Sequence, residues 1–391
     1  MTWTLAMVNA FYHPYVGGSE KHMYELSRRL ARKHNVVVIT SRLENTPEYE
    51  EIDGVKVHRL DAQLLKLPHI YPPPYPICKD VYRAIEQLHK KYGFDFINIH
   101  GRWFRSFNKA IYFGKKNDIK TVLTLHNGKP TGIDPLTSFL GLTYDNISGK
   151  RLLRSVDRII SVSEAVREEM GAYGIDKSKI TPIHNGVDTA VFRRTKPKFR
   201  DEYPQFERIV LYLGRMIEQK GLPYLLEAAE RIHQKEPEVG FLMVGKGKKK
   251  EQLMEMVRKR GMENYVIFPG FVDESDLPAL YSSADLYVLP SLWEVLPISL
   301  LEALSVGLPL ISTDAGGNAE IVKDGVNGYV VQKRDSAALE ERIIRLLSDD
   351  KRREKMSRTS RKIAIKEFDW DIIANKTEKF YNAWYENSEK E

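Results

Sequence analysis

At 391 residues the chain exceeds what one hydrophobic core holds, and it reads as two domains of nearly two hundred residues each. An apolar share of 42% beside 29% charged residues excludes a disordered chain, no run of about 18 apolar residues offers a transmembrane helix, and the lone Cys78 excludes an intrachain disulfide or a thiolate metal cluster. The net charge of +7 lies wholly in residues 1–190, with 27 Lys and Arg against 20 Asp and Glu, whereas residues 191–391 carry 33 of each.

That asymmetry points the first half towards an acidic partner or surface. The single thiol points to a reducing compartment, most simply the cytoplasm. The opening MTWTLAMVNAFYHPYVGGSE lacks a basic segment ahead of a cleavable apolar stretch, so Met7–Ala10 is read as the end of a first strand.

In chain order, Leu5–Val8, Val36–Thr40, Val55–Leu60, Phe96–His100, Val122–His126, Ile159–Ser163 and Ile180–Ile183 are predicted strands. Helical spacing occupies the gaps, as in Ser19–Lys33, where Met23, Leu26 and Leu30 share a face. The second half repeats the plan with Ile209–Leu213, Phe241–Val244, Val266–Phe268, Leu286–Leu289, Leu310–Ser312 and Tyr329–Val331, and with a helix over Leu222–Gln234. Continuous apolar strands alternating with helices imply parallel sheets covered on both faces, hence two doubly wound α/β units. The expected first domain is 1–190, a charged, proline-bearing linker follows at 191–206, the second domain is 207–370, and a helical tail at 371–391 packs back on the first domain.

Ligands of open parallel sheets bind beyond the carboxyl ends of the strands. After the first strand, Gly17 and Gly18 lead into a helix that Ser19 is expected to cap. Bare N–H groups at such an end attract phosphate, although a plain turn has the same sequence. After Ile209–Leu213 come Arg215 and Lys220, a pair suited to a diphosphate or to ordinary solvation. After Leu286–Leu289 comes SLWEVLPISLLEALSVGLPLI, with Glu294 and Glu302 eight residues apart. On a single helix this spacing means about 12 Å of rise, too far for one carboxylate pair. Pro297 instead marks a helix start, placing Glu294 in a loop and Glu302 inside the helix. Two carboxylates at different depths suit separate parts of an extended polyhydroxyl ligand.

Dinucleotide and P-loop fingerprints are absent, GKGKKK (Gly245–Lys250) lacking the required third glycine. No G-x-S-x-G elbow and no paired histidine spacing for zinc occur either.

The ordered set GGSE, HNGVD, GRMIEQKG, Glu294-x7-Glu302 and DAGGNAEIVKDGVNG, running from Gly17 to Asp371, resembles the retaining glycosyltransferases of family four. The resemblance implies a GT-B fold of two Rossmann-like domains facing each other across a cleft. It implies a nucleotide diphosphate sugar donor, no bound cofactor and no metal. Carried over by position, Glu294 would hold the transferred sugar and Glu302 the ribose. Arg215 and Lys220 would neutralise the leaving diphosphate, with the N–H groups of Gly17 and Gly18 close to the same phosphates. His126 would lie beside the transferred sugar, Phe271 and Val272 would line the base pocket, and Leu296, Pro297 and Ile298 would complete the donor loop. Two positions depart from the family pattern: Val295 replaces a usual glycine and His184 a frequent proline.

The acceptor side falls to the first domain. There His100–Lys116 interleaves Arg102, Arg105, Lys109, Lys115 and Lys116 with Trp103, Phe104, Phe107, Tyr112 and Phe113, and LLKLPHIYPPPYP supplies a further apolar loop. This pattern fits an anionic membrane surface or an ordinary amphipathic helix, and no nucleic-acid module accompanies it. The reading is a cytoplasmic hexosyltransferase, peripheral on the inner face of the membrane, acting on a lipid-linked hydroxyl. A soluble-acceptor disaccharide or glucan synthase and a non-catalytic sugar-nucleotide or glycan-binding module are its alternatives.

Overall fold

The computed structural model describes residues 2–15, 17–65, 75–103, 105–129 and 135–388, and the chain divides into two units. The first comprises Met1–Asn185 with Trp370–Glu391, the second Gly186–Asp369.

In the first unit the strands are β1 (Thr4–Val8), β2 (Asn35–Ser41), β3 (Tyr49–Ile52), β4 (Val55–Leu60), β5 (Ala62–Leu65), β6 (Tyr75–Cys78), β7 (Phe96–His100), β8 (Lys120–Leu125), β9 (Arg158–Ser161) and β10 (Ile180–Pro182). Eight of them form one sheet in the order β10-β9-β8-β7-β1-β2-β4-β3, parallel except for the β3–β4 hairpin. β5 and β6 pair separately. TLAMV and FINIH are buried along their whole length because helices cover both faces of these central strands. YEEI in β3 is half exposed, as its glutamates require of an edge strand.

The final helix, Trp370–Ser388, belongs to this unit's core. Trp370, Ile373 and Tyr381 join Trp3, Met23, Leu26 and Phe96 in one apolar cluster. Arg29 donates to Asp371 at 2.8 Å, and Trp3 Nε1 donates to Asn382 Oδ1 at 2.9 Å.

The second unit holds β11 (Arg208–Leu213), β12 (Val239–Val244), β13 (Val266–Gly270), β14 (Leu286–Leu289), β15 (Leu310–Thr313) and β16 (Gly328–Val331). The sheet order is β13-β12-β11-β14-β15-β16, all parallel, which is the Rossmann order with its reversal between β11 and β14.

The segment 191–206 is no free linker. Phe192, Phe199 and Phe206 are buried in the second unit, and Arg361 donates to the carbonyls of Phe192 (2.8 Å), Thr189 (2.8 Å) and Ser305 (2.7 Å). The charged residues set its composition and the three phenylalanines set its position, so the division falls at Asn185.

Candidate active site

The reversal between β11 and β14 brings two loops together. Gly221, at φ 60, lets the loop after β11 lie against the loop after β14, since a Cβ there would stand 2.2 Å from the Pro290 carbonyl oxygen. Leu292 N donates to Gln219 O at 2.7 Å across the same junction. Lys220 Nζ thereby pairs with Glu294 Oε1, and Ser291 Oγ donates to the same oxygen at 2.6 Å. Both charged side chains are largely buried, exposed by 12% and 9%. Glu294 Oε2 keeps no hydrogen-bond partner among the described residues. Arg215, by contrast, is exposed.

Arg215 and Lys220, read from the sequence as one pair for a diphosphate or for solvent, part company here: Lys220 enters an ion pair and Arg215 stays exposed. Two cations five residues apart share a loop, but only one of them turns inward.

Glu302 is the fifth residue of the helix Ile298–Val306, whose N-cap is Pro297, and it is buried. Tyr281 OH donates to Glu302 Oε2 at 2.9 Å. Burial, reinforced by the adjacent carboxylate, pushes the Tyr281 phenol well above its ordinary range, so it stays a protonated donor. Leu296 and Pro297 are buried and Ile298 is partly so.

The loop after β15 props up the loop after β14. Thr313 Oγ1 donates to Ser291 O, Gly317 N donates to Val295 O at 3.0 Å, and Gly316 sits at φ 52 with its missing Cβ 1.9 Å from Glu294 O.

Phe271 is exposed, Val272 is half-buried, and Lys246 Nζ stands 4.0 Å from the centre of the Phe271 ring. The glycines of GKGKKK serve backbone packing. Added Cβ atoms at Gly245 and Gly247 would meet Gly214 O at 2.0 Å and Met216 O at 2.2 Å.

In the first unit the helix Gly18–Leu30 starts two residues earlier than a cap at Ser19 requires. Its N-cap is Gly17, and Ser19 Oγ instead donates to Glu20 Oε2 at 2.9 Å. Ser19 is therefore not the cap. Glu20 is buried, and desolvation raises its carboxyl.

His126 follows β8, with its Nε2 3.1 Å from His100 Nδ1 at the end of β7. His22, on the first helix, lies with its ring centroid 4.8 Å from that of His126 and has Nδ1 2.9 Å from Asn185 Oδ1. The amide oxygen puts the His22 proton on Nδ1. Neither His22 Nε2 nor His100 Nε2 has a partner among the described residues. One nitrogen from each ring lies within 4.8 Å of the others, and among the described residues no carboxylate or thiolate joins the group. Burial lowers His22 to about 4, and burial with mutual repulsion holds His100 and His126 well below the usual imidazole range.

All three rings are thus neutral near pH 7. In ¹³C-histidine NMR we expect their resonances to stay fixed from pH 7.5 to 5, where an ordinary histidine titrates near 6.5. Below 6.5 the unfolded His22 takes up a proton that the native ring refuses down to about 4, so its contribution to stability falls as pH falls across that window. The raised Glu20 acts in the opposite sense. Titration of the three rings near 6.5 would contradict the buried, neutral cluster.

The membrane-facing part assigned to His100–Lys116 does not survive for Arg102. Its side chain is 1% exposed and donates to Asp145 Oδ2 and Gly128 O, each at 2.8 Å. Phe113 is buried as well, while Tyr112, Lys115 and Lys116 are exposed. Phe104, the side chains of Arg105 and Phe107, and residues 66–74 of the apolar loop lie outside the described residues.

Two family models match the chain: Glycosyltransferase Family 4 over residues 16–191 and Glycosyl transferases group 1 over residues 194–363. Only Phe192 and Arg193 separate the two matches. The chain belongs to the family-four glycosyltransferases of GT-B fold.

An uncharacterized glycosyltransferase of Methanocaldococcus jannaschii is 29% identical over 96% of this chain and 97% of its own. A phosphatidylinositol N-acetylglucosaminyltransferase component of Arabidopsis thaliana is 28% identical over 81% of this chain and 69% of its own. Among solved structures, a sucrose-phosphate synthase from Thermosynechococcus elongatus superimposes with a TM-score of 0.82 at 21% identity, covering 98% of this chain and 100% of that one. The glycosyltransferase reading carries the general activity: transfer of a sugar from a nucleotide diphosphate donor with retention of configuration. Among the described residues no helix is long and apolar enough to cross a membrane.

Sequence reasoning named Glu294, Glu302, Arg215, Lys220, His126 and Phe271 but missed the groups beside them: Ser291, Tyr281, Gly316, His22, His100 and Lys246. A serine three residues before Glu294 was a usable local signal. Tyr281 and His22 had none, because their partners lie 21 and 163 residues away.

Proposed function

We propose that this glycosyltransferase moves a hexose from a nucleotide diphosphate sugar to a hydroxyl of a lipid-linked acceptor at the cytoplasmic face of a membrane, without a metal or other cofactor. The observation that carries the donor part is the pair of buried carboxylates that follow β14 at the sheet reversal. Glu294 keeps one oxygen unengaged among the described residues, and Glu302 is held by Tyr281.

In this reading Glu294 Oε2 accepts from hydroxyls of the transferred sugar and Glu302 from the ribose. Phe271 and Val272 meet the base, and Leu296, Pro297 and Ile298 shape the loop around the sugar. Arg215 and Lys220 take the negative charge of the departing diphosphate, aided by the N–H groups of Gly17 and Gly18 at a helix start. The bond from the anomeric carbon to the phosphate oxygen breaks, and the acceptor oxygen bonds to that carbon from the same face. The acceptor proton passes to the leaving phosphate, so no side-chain nucleophile is needed. Two cations do the charge work for which other enzymes use a divalent ion. Neutral His126 lies beside the sugar as a hydrogen-bonding group.

The lipid-linked acceptor is supported by the likeness to the phosphatidylinositol-modifying relative and by the basic excess of the first half. Calorimetric titration with UDP-, GDP- and ADP-sugars, followed by transfer assays, tests the reading. One donor should bind one to one and label a hydroxyl-bearing lipid in detergent micelles. Transfer to soluble sugars alone would overturn the lipid part, and failure of every donor to bind would overturn the whole.

A further inference from the structure

The helical run from Pro135 to Ser155 departs from its neighbours. It comprises the helix Pro135–Tyr144, a π-type turn at Asp145–Gly149 and the helix Lys150–Ser155. Large apolar side chains face solvent along it: Phe139 is 67% exposed, Leu140 42% and Ile147 76%. Phe139, Thr143, Ile147, Arg151 and Arg154 follow at spacings of four, four, four and three, so they fall on one side of the run. All five are exposed. The stripe is therefore apolar over its first half and basic over its second.

Its charge is the second observation. The only acidic residue between 135 and 155 is Asp145, which is fully buried and held by Arg102 Nη2 at 2.8 Å. Widening of the helix at the π-type turn begins at Asp145 itself. Burial raises the Asp145 carboxyl even beside that guanidinium. The exposed face thus carries cations and no anion, within a unit that holds 30 Lys and Arg against 24 Asp and Glu.

We propose that this stripe docks on an anionic bilayer, with Phe139, Leu140 and Ile147 entering the headgroup boundary while Arg151 and Arg154 meet lipid phosphates. The assignment deepens the lipid-acceptor reading and rests on it for its purpose. It also moves the membrane contact from His100–Lys116 to a later helix, and it gives Arg102 an internal task, that of pairing with Asp145 on the buried side of the run. Exposed apolar groups beside cations, with no acid between them, match a surface that is apolar beneath and negative above.

The test is co-sedimentation of the full chain with neutral phosphatidylcholine vesicles and with vesicles containing about 30% phosphatidylglycerol, whose anionic headgroups make the surface negative. Binding to the anionic vesicles alone is expected, weakening as salt rises. Arg151→Glu with Arg154→Glu should lower partitioning at least about tenfold, from roughly fivefold per basic residue, and separately Phe139→Ser with Ile147→Ser should lower it at least about tenfold through lost apolar burial. All four positions are exposed, so folding should persist, and unchanged thermal melting checks this. Charge reversal at Arg258 and Lys259, exposed in the second unit, should leave partitioning unchanged.

Unaltered partitioning of both stripe variants overturns the proposal, as does loss of self-association in Phe139→Ser with Ile147→Ser without loss of vesicle binding. Lipid transfer in detergent micelles separates the two ideas. Micellar transfer without vesicle binding removes the docking face and keeps the lipid acceptor. Vesicle binding without any lipid transfer does the reverse.

Discussion

Arg215→Ala is expected to lower turnover roughly 100- to 1,000-fold while leaving the thermal midpoint unchanged, because an exposed cation at the strand end acts on charge that develops as the sugar departs. Lys220→Met should cost a similar factor in turnover but also destabilise the fold. Its loss leaves the Glu294 carboxylate buried with only Ser291 as a donor, a cost of about 3 kcal/mol. Adding Glu294→Gln to Lys220→Met should restore most of the stability, since a neutral amide needs no counter-charge, and none of the activity. Steady-state kinetics and urea unfolding on the four proteins read both quantities. Full activity in Arg215→Ala would remove the diphosphate assignment. A Lys220→Met protein of unchanged stability would mean that the pair with Glu294 does not hold in solution.

Glu302→Gln is expected to weaken binding of the free nucleoside diphosphate by roughly 10- to 100-fold, the value of one hydrogen bond to a buried carboxylate. Glu294→Gln should leave that binding close to the unmodified level and lower the rate of sugar transfer. The geometry supports the split: Glu302 lies inside a helix against Tyr281, and Glu294 lies in the preceding loop against Lys220 and Ser291. Tyr281→Phe removes the donor to Glu302 Oε2 and should follow Glu302→Gln, more mildly. Calorimetry with the free diphosphate and with the complete donor measures both effects. Equal losses in the two glutamate variants would contradict separate roles.

The sheets were legible because their strands are apolar over their full length. Such runs declare burial on both faces, and each predicted central strand lies within two residues of the observed one. β3 escaped because YEEI is an edge strand with exposed glutamates, although Asp53-Gly54, both at positive φ, is a hairpin signal that was available. The fate of 191–206 was hidden for a related reason: three phenylalanines spaced seven apart share a helical phase, but the positions between them are mostly charged and Pro197 and Pro204 interrupt the stretch, so it reads as a linker.

At the site, the residues proposed to meet the donor stood out because they lie just beyond strand ends, where open parallel sheets bind ligands. Residues that hold them did not, since Tyr281 and Glu302, or His22 and Asn185, are joined only by the fold. Arg102 shows the converse error. It sits among exposed-looking cations and aromatics, yet its partner Asp145 is 43 residues on and draws it wholly inside.

The most direct test of the account is the anomeric form of the sugar released when the donor is slowly hydrolysed without acceptor. Time-resolved ¹H NMR distinguishes the two anomers before they equilibrate. From an α-linked nucleotide diphosphate sugar, a retaining reaction at this site predicts the α-sugar as first product, with Glu294→Gln slowing its appearance. First appearance of the β-sugar, or release at an unchanged rate in Glu294→Gln, would contradict it.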